Sequence, residues 1–336
     1  MMPEAGSDVH AQFADVTRRR IPTDRVSTHG GPAVAVGYSP VRSASTSDRV
    51  RLTVGLLKRR GYALTPARLG ALCLGGSLSE GVVRWAVAAA PELTVADGLV
   101  IERSGLEQVA EIRSRSTAHD SDAAAYLHMT ARFVRTLVAV APFIRSVSVA
   151  GSLASGGFRA SDDVDLNLIV DDGHRHLAYV VVNMLGLVHA LGHRAKPVDD
   201  LTRRPLAPRL MTANLILEQS QCHPLHRQDE DMAYELLVAE PMFGLETLSE
   251  VLDSNPVLLD HFPQLAYKPA PLHIDPPAWR LPARLFPTAI DGAARRVGEA
   301  AWRYMQWTRR HHPDALARVA YVRATMRPYT LFDGYG

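Results

Sequence analysis

Residues 146–172 read SVSVAGSLASGGFRASDDVDLNLIVDD, and the fold turns on how this stretch is parsed. Val147 and Val149 alternate with serine as far as Ala150, the pattern of a strand with one buried face. Gly151 and Ser152 end that run, and a glycine-containing connection leads to a second apolar run. In a strand, successive side chains point to opposite faces. Asp163, Asp165 and Asn167 therefore share one face, and Val164, Leu166 and Leu168 share the other. Carboxylates two positions apart lie about 7 Å from each other along a strand and repel, so a compensating positive charge is expected. A divalent cation supplies it. Mg2+ (or Mn2+) is the first choice, because it binds through one or two carboxylates together with the phosphates of a substrate.

The Gly151–Ser152 corner completes the thought. Glycine lets the backbone approach a ligand closely, and free N–H groups in such a turn bind phosphate oxygens. The Ser152 hydroxyl can donate to the same anion. Arg159 and Ser161 are further candidates for nucleotide binding. A Gly-Ser pair alone is common, and an alternating Asp/Val strand alone is more often a solvated edge. In this order, with Asp163 eleven positions after Ser152 and strand-like sequence on both sides, they point jointly to a metal-bound phosphate ligand.

Outward from this stretch, Leu127, Phe133, Val134, Leu137 and Val138 recur at helical spacing before it. After it come a helical HRHLAYVVVNMLGLVHALGH and a strand-like MTANLILEQS. Alternating strands and helices indicate an α/β domain, placed at residues 116–228. Residues 48–115 read as three short helices and a hairpin. Asp48 is the expected first cap, Thr65–Pro66 the second, and Ser77 or Ser79 the third. LTVADGLVIE then turns at Asp97–Gly98. RSRSTAHDSD (113–122) reads as a polar linker, and residues 1–47, rich in Gly, Pro, Ser and Arg, as a flexible arm. Residues 229–336 read as a helical region, with YKPAPLHIDPPAWRLP wrapping over the surface.

The whole-chain balance, 47% hydrophobic and 21% charged over 336 residues, fits a globular chain of two or three domains. A net charge of +2 argues neither for nor against nucleic acid. Only three of the 37 basic residues are lysine; genomic base composition accounts for that bias, although the arginine fork does suit phosphate. Two cysteines without metal-type spacing fit a reducing compartment. No apolar run approaches the roughly 20 residues of a membrane helix. The first residues carry acids and no continuous apolar core, unlike a signal peptide, so a cytoplasmic location is expected.

Gly151, Ser152, Gly156, Ser161, Asp163, Val164, Asp165 and Leu166 together resemble the signature of the DNA polymerase β-like nucleotidyltransferase superfamily. The resemblance spans roughly residues 120–225 and looks most like bacterial members with a helical C-terminal region. It implies an α/β (α+β) core with a mixed sheet, and transfer of a nucleoside monophosphate from an NTP to a hydroxyl, amine or phosphate, with Mg2+ and release of pyrophosphate. Carried over, Gly151 and Ser152 hold the β- and γ-phosphates, and Asp163 and Asp165 ligate the metals. Such proteins often have a third carboxylate on a later strand. Glu218 is the candidate, because MTANLILEQS puts Asn214, Ile216 and Glu218 on one face; Asp199 and Asp200 are its rivals. A third acid near the acceptor would accept its proton or hold a second metal.

Residues 48–115 resemble a winged-helix domain by pattern alone. A DNA-reading version presents basic residues on its third helix, and here only Arg84 is offered, so a structural or protein-contact role is favoured over nucleic acid. The expected acceptor is a small molecule. Alternatives are a macromolecular acceptor (a tRNA end, or a protein side chain in a toxin–antitoxin manner) and a non-catalytic nucleotide-sensing or DNA-binding regulator. Weaker candidates lie near the end of the chain. His311, His312 and Asp314 read as a solvated helix end, and Arg295, Arg296, Arg303, Arg309 and Arg310 as a solvated basic face. Trp302, Tyr304 and Trp307 read as core.

Overall fold

The computed structural model describes residues 44–192, 210–325 and 328–332. Nearly all of the expected arm, together with Asp199 and Asp200, lies outside the described residues. Helices α1 (Thr46–Arg59), α2 (Pro66–Ala71) and α3 (Glu80–Ala89) precede the antiparallel hairpin of β1 (Leu93–Ala96) and β2 (Leu99–Glu102). Side-chain oxygens set the helix starts. Ser45, Thr65 and Ser79 accept from the N–H groups of Asp48, Arg68 and Val82. The first cap is thus Ser45 rather than Asp48, whose carboxylate instead accepts from the Ser45 hydroxyl. The hairpin turns on Asp97 and Gly98, both at positive φ as an Asp-Gly turn requires.

The expected linker is not one. Helix α4 (Val109–Val140) runs unbroken through residues 113–122, a length of about 48 Å at 1.5 Å per residue. That stretch contains no Gly or Pro to stop it. Its hydroxyls bond back to helical carbonyls instead of capping a break, Thr117 to Arg113 and Ser121 to Ala118.

The chain then forms β3 (Ile144–Ala150), the short α5 (Gly151–Ser155), β4 (Val164–Val170), α6 (Arg175–Leu191), β5 (Met211–Glu218) and α7 (Gln219–Cys222). Next come α8 (Glu230–Val238), β6 (Glu240–Phe243), α9 (Leu245–Ser254), α10 (Pro256–His261), α11 (Ala289–Arg309) and α12 (Pro313–Thr325). The result is a mixed four-stranded sheet in the order β5-β4-β3-β6, beside the separate two-stranded sheet. Strand β4 runs antiparallel to β3 and parallel to β5, and α6 supplies the crossover that parallel neighbours need.

The region after residue 229 is not wholly helical, since β6 joins the sheet at β3. Four residues carry too little periodicity to show in sequence, and Pro241, which has no N–H to donate, sits in an edge strand where that lack is tolerated. The proline-rich segment does wrap the surface. The Ile274 N–H donates to the Met242 carbonyl, and Arg280 donates to the carbonyls of Val138 and Pro142 at the end of α4.

Two cores follow from the two faces of the sheet. Val147, Val149, Leu166, Leu168, Met211 and Ile216 face α4 and α6 in one cluster; burying each such side chain contributes about 1.5–3 kcal/mol. Leu215 and Leu217 belong to the other cluster, with α1, α3, Tyr234, Phe262 and Leu265. The N-terminal helices and α8–α10 therefore share one core against the second face. No helix among the described residues is long and apolar enough to cross a membrane.

Candidate active site

Strand β3 ends opposite Asp165, with Ala150 as its register partner, and the next residue turns the chain into α5. Gly151 adopts φ +62 there, and a Cβ built on it would lie 2.1 Å from Oδ2 of Asp165. No L side chain fits that gap, and the left-handed backbone favours glycine as well. The Gly-Ser corner and the strand acid, separated in sequence, are thus in contact. Ser152 is buried beside them, and its carbonyl accepts from the N–H groups of Gly156 and Gly157. The leading N–H groups of α5 have no intrahelical acceptor.

Asp165 is half-buried, and its Oδ1 accepts from the Thr212 hydroxyl on β5 at 2.9 Å. Asp163 lies one residue before β4 rather than inside it, and is exposed, while Val164 and Leu166 are buried in the core. The alternation expected from the sequence therefore holds at the start of the strand. Neighbouring Asp162 braces the loop, accepting from the Arg159 N–H at 3.1 Å. The Arg159 guanidinium pairs with Glu111 on α4 at 2.7 Å. Ser161 occupies the turn before Asp162, half-buried.

Glu218 is elsewhere. It pairs with Val170 at the far end of the strands, whereas Thr212 pairs with Asp165 at the near end. Six residues of strand separate the two ends, about 20 Å. Glu218 accepts from the Gly173 N–H at 2.9 Å and shares a reciprocal cap of α7 with Gln221. The common face expected for Asn214, Ile216 and Glu218 also fails. The β4–β5 register shifts between Leu166 and Asn167, so Asn214 faces the polar side while Ile216 joins the opposite core. A bulge of this kind breaks the period-two count.

What occupies the polar face beyond Asp165 was not legible in the strand. Asn167 and Asn214 each donate to Glu235 Oε1 at 3.1 Å, and Asn214 also donates to Asn167 Oδ1. Arg60, at the end of α1, donates to Glu235 Oε2 at 3.0 Å and to the Asp231 carbonyl at 2.9 Å. Its guanidinium lies over the Tyr234 ring. Burial alone would lower the basicity of Arg60, but the charges of Glu235 and Asp231 outweigh it and raise it. One signal for Glu235 did exist: it interrupts the apolar run Met232, Ala233, Tyr234, Leu236, Leu237, and an acid there needs a partner. Because Arg60 and the amides hold that carboxylate, it is not a free ligand.

Among the described residues, no group of three or more His, Cys, Asp or Glu side chains could hold a metal ion. The candidate cation site at the corner rests on Asp163 and Asp165. Of the two, Asp165 meets the Gly151 turn and Asp163 is exposed one residue before the strand; carboxylate oxygens suit Mg2+, which completes its shell with water and phosphate. At the C-terminal end, Arg295 and Arg303 approach Glu299, and Trp302 packs toward Phe332. Tyr304 and Trp307 are exposed rather than core, stacked on one another. His311 is exposed in the turn between α11 and α12. Searches of protein-family models, curated proteins and solved structures found no match to this chain.

Proposed function

We propose that this chain is a nucleotidyltransferase of the DNA polymerase β-like kind, moving a nucleoside monophosphate from an NTP to a small-molecule hydroxyl, amine or phosphate with release of pyrophosphate. One observation carries the proposal: Gly151, at φ +62 with no room for a Cβ, seats the turn after β3 directly against the Asp165 carboxylate. A triphosphate held by that turn lies beside a pair of carboxylates, and an intervening cation reconciles the two sets of negative charge.

Gly151 and Ser152 hold the β- and γ-phosphates through their N–H groups and the Ser152 hydroxyl. Asp163 and Asp165 would hold Mg2+ (or Mn2+), which when bound neutralises phosphate charge and aligns the α-phosphorus for in-line attack. Thr212 orients Asp165 by its hydrogen bond, leaving Oδ2 toward the corner. The helices and hairpin of residues 44–102 act as an accessory winged-helix-like unit. Arg84, the one basic residue of α3, pairs with Glu80 of the same helix, which leaves α3 without the basic face of a DNA reader.

Incubation with each α-labelled NTP, Mg2+ and a metabolite extract is expected to give label transfer and pyrophosphate from the parent. The Asp163→Ala/Asp165→Ala variant is expected to give neither, a drop of at least about a thousandfold for a lost charge-stabilising pair. Equal release from both would put the chemistry elsewhere. Nucleotide binding without turnover has one observation in its favour: from β5, Asp165 is met by Thr212, and no third carboxylate joins the pair among the described residues. NTP binding by the parent without pyrophosphate release would select it.

A further inference from the structure

A separate feature lies one turn beyond the corner. A cavity of about 200 Å3 opens between the N-terminal unit, the first turns of α4 and the Gly156–Gly157 end of α5. Arg68, Arg113 and Arg115 line it, with Ser116 and Ser155, against a single acidic residue, Asp120; the Ser155 hydroxyl donates to the Gly151 carbonyl. Arg115 is shared with Glu111 at 3.3 Å and with Asp162 at 3.9 Å. The guanidinium groups of Arg68 and Arg113 have no hydrogen-bond or ion-pair partner among the described residues. Arg68 lies flat on the backbone of Gly156, where a Cβ would come within 2.9 Å of its Nη1, and Gly156 is at φ +94. The Tyr62 ring is pressed equally close to Gly157. The two glycines thus let the N-terminal unit close onto the corner and bring positive charge with it.

His119 is on the same stretch of α4 but is not part of the cavity lining. Its Nδ1 is buried with no hydrogen-bond partner among the described residues. Burial, and then the charge of Arg68, make its imidazole harder to protonate than usual. A cavity lined by two unpaired guanidinium-bearing side chains is short of an anion. Its volume matches about seven waters, room for a phosphate with a small substituent or for pyrophosphate.

We propose that this cavity binds the phosphate of a small phosphorylated molecule, clamped by Arg68 and Arg113 with Arg115 and Ser116 at its side. The ligand is recognised bidentately by guanidinium forks, the geometry arginine offers and lysine does not. Occupancy would tie the N-terminal unit to the corner, because the clamp draws on α2 and α4 while the floor is Gly156–Gly157. This site needs no cation and does not depend on the carboxylate pair being catalytic.

Calorimetric titration with inorganic pyrophosphate and inorganic phosphate, in EDTA and at two salt concentrations, tests it. Binding is expected in the parent, weaker at the higher salt, and unchanged in Asp163→Asn/Asp165→Asn. Arg68→Gln and Arg113→Gln are each expected to weaken it about tenfold or more, the effect of one charge-assisted hydrogen bond. Both side chains are exposed, so the folds should survive, as circular dichroism would verify. Should either variant fail to fold, Ser116→Glu places a carboxylate in the same cavity and should abolish binding. Absence of any heat with the parent, or equal affinity in the arginine and Ser116→Glu variants, overturns the proposal. Tighter binding in the Asp163→Asn/Asp165→Asn variant also overturns it, because without a cation the loss of those charges would favour an anion at the corner.

Discussion

The central sheet has two unlike faces. One carries Val147, Val149, Leu166, Leu168, Met211 and Ile216 against α4 and α6 and is apolar throughout. The other carries Asp165, Thr212, Asn167 and Asn214 in a polar row beside the buried Leu215 and Leu217, and α8 covers that row with Glu235. On the apolar face, shape and volume are what matter. On the polar face every group needs a named partner, since a buried donor or acceptor left unpaired costs more than a bond made is worth. The row is sealed at Glu235 and half-buried at Asp165, the end that the proposed function uses.

Removing the seal should show the largest effect. Glu235→Ala leaves the Arg60 guanidinium, 13% exposed, and two amides without their shared acceptor. A loss of about 3–5 kcal/mol is expected in urea unfolding; the Arg60→Met/Glu235→Leu double variant should recover the part owed to the unpaired Arg60 charge but not the part owed to the two amides. Leu166→Ala, its counterpart on the apolar face, should cost about 2–5 kcal/mol with no such rescue. If the double variant recovers nothing, the polar face is not a matched network and the contrast fails.

A smaller effect is expected one layer out from the apolar face, where α11 docks on α6. Asp291 accepts from His176 Nδ1 and from the Leu177 N–H, both at 2.7 Å. Burial alone would raise the Asp291 carboxyl, but the His176 hydrogen bond and the Leu177 N–H outweigh it and hold it below the usual range. Its folded value being depressed, the stabilisation is present above the unfolded value near 3.9 and is lost as pH falls through the folded one. Asp291→Asn should therefore cost about 1 kcal/mol at neutral pH. The gap from the parent should close as unfolding is measured at progressively more acid pH. A gap independent of pH would mean that the contact acts through packing alone.

The smallest effect is expected at the far end of the strands. Glu218→Gln keeps the oxygen that accepts from Gly173, so stability should shift by about 0.5 kcal/mol or less, and any NTP turnover should stay unchanged. Lost turnover in a folded Glu218→Gln protein would bring this carboxylate back into the site.

The legible parts were local ones. Val147 to Ala150 and Val164 to Leu168 showed their alternation directly, and Asp97–Gly98 its turn, because period and turn chemistry depend on neighbours in the chain. The corner was legible too, since Gly151 is needed where the backbone meets a carboxylate. The misplacements have separate physical causes. Glu218 was counted along a strand that a bulge interrupts. The stretch 113–122 was judged by polarity, although a helix with one solvated face tolerates it. Strand β6 was hidden in four residues, one of them proline.

By itself, the sequence determined that a glycine corner precedes an acid-bearing strand inside an alternating α/β chain, because side-chain period and backbone freedom are properties of a few consecutive residues. Only the tertiary structure decided which charges meet. Arg60 and Glu235 are 175 positions apart, and Arg68 reaches Gly156 from another unit. Such pairings depend on strand register and on how helices pack over a face, and no local pattern encodes either.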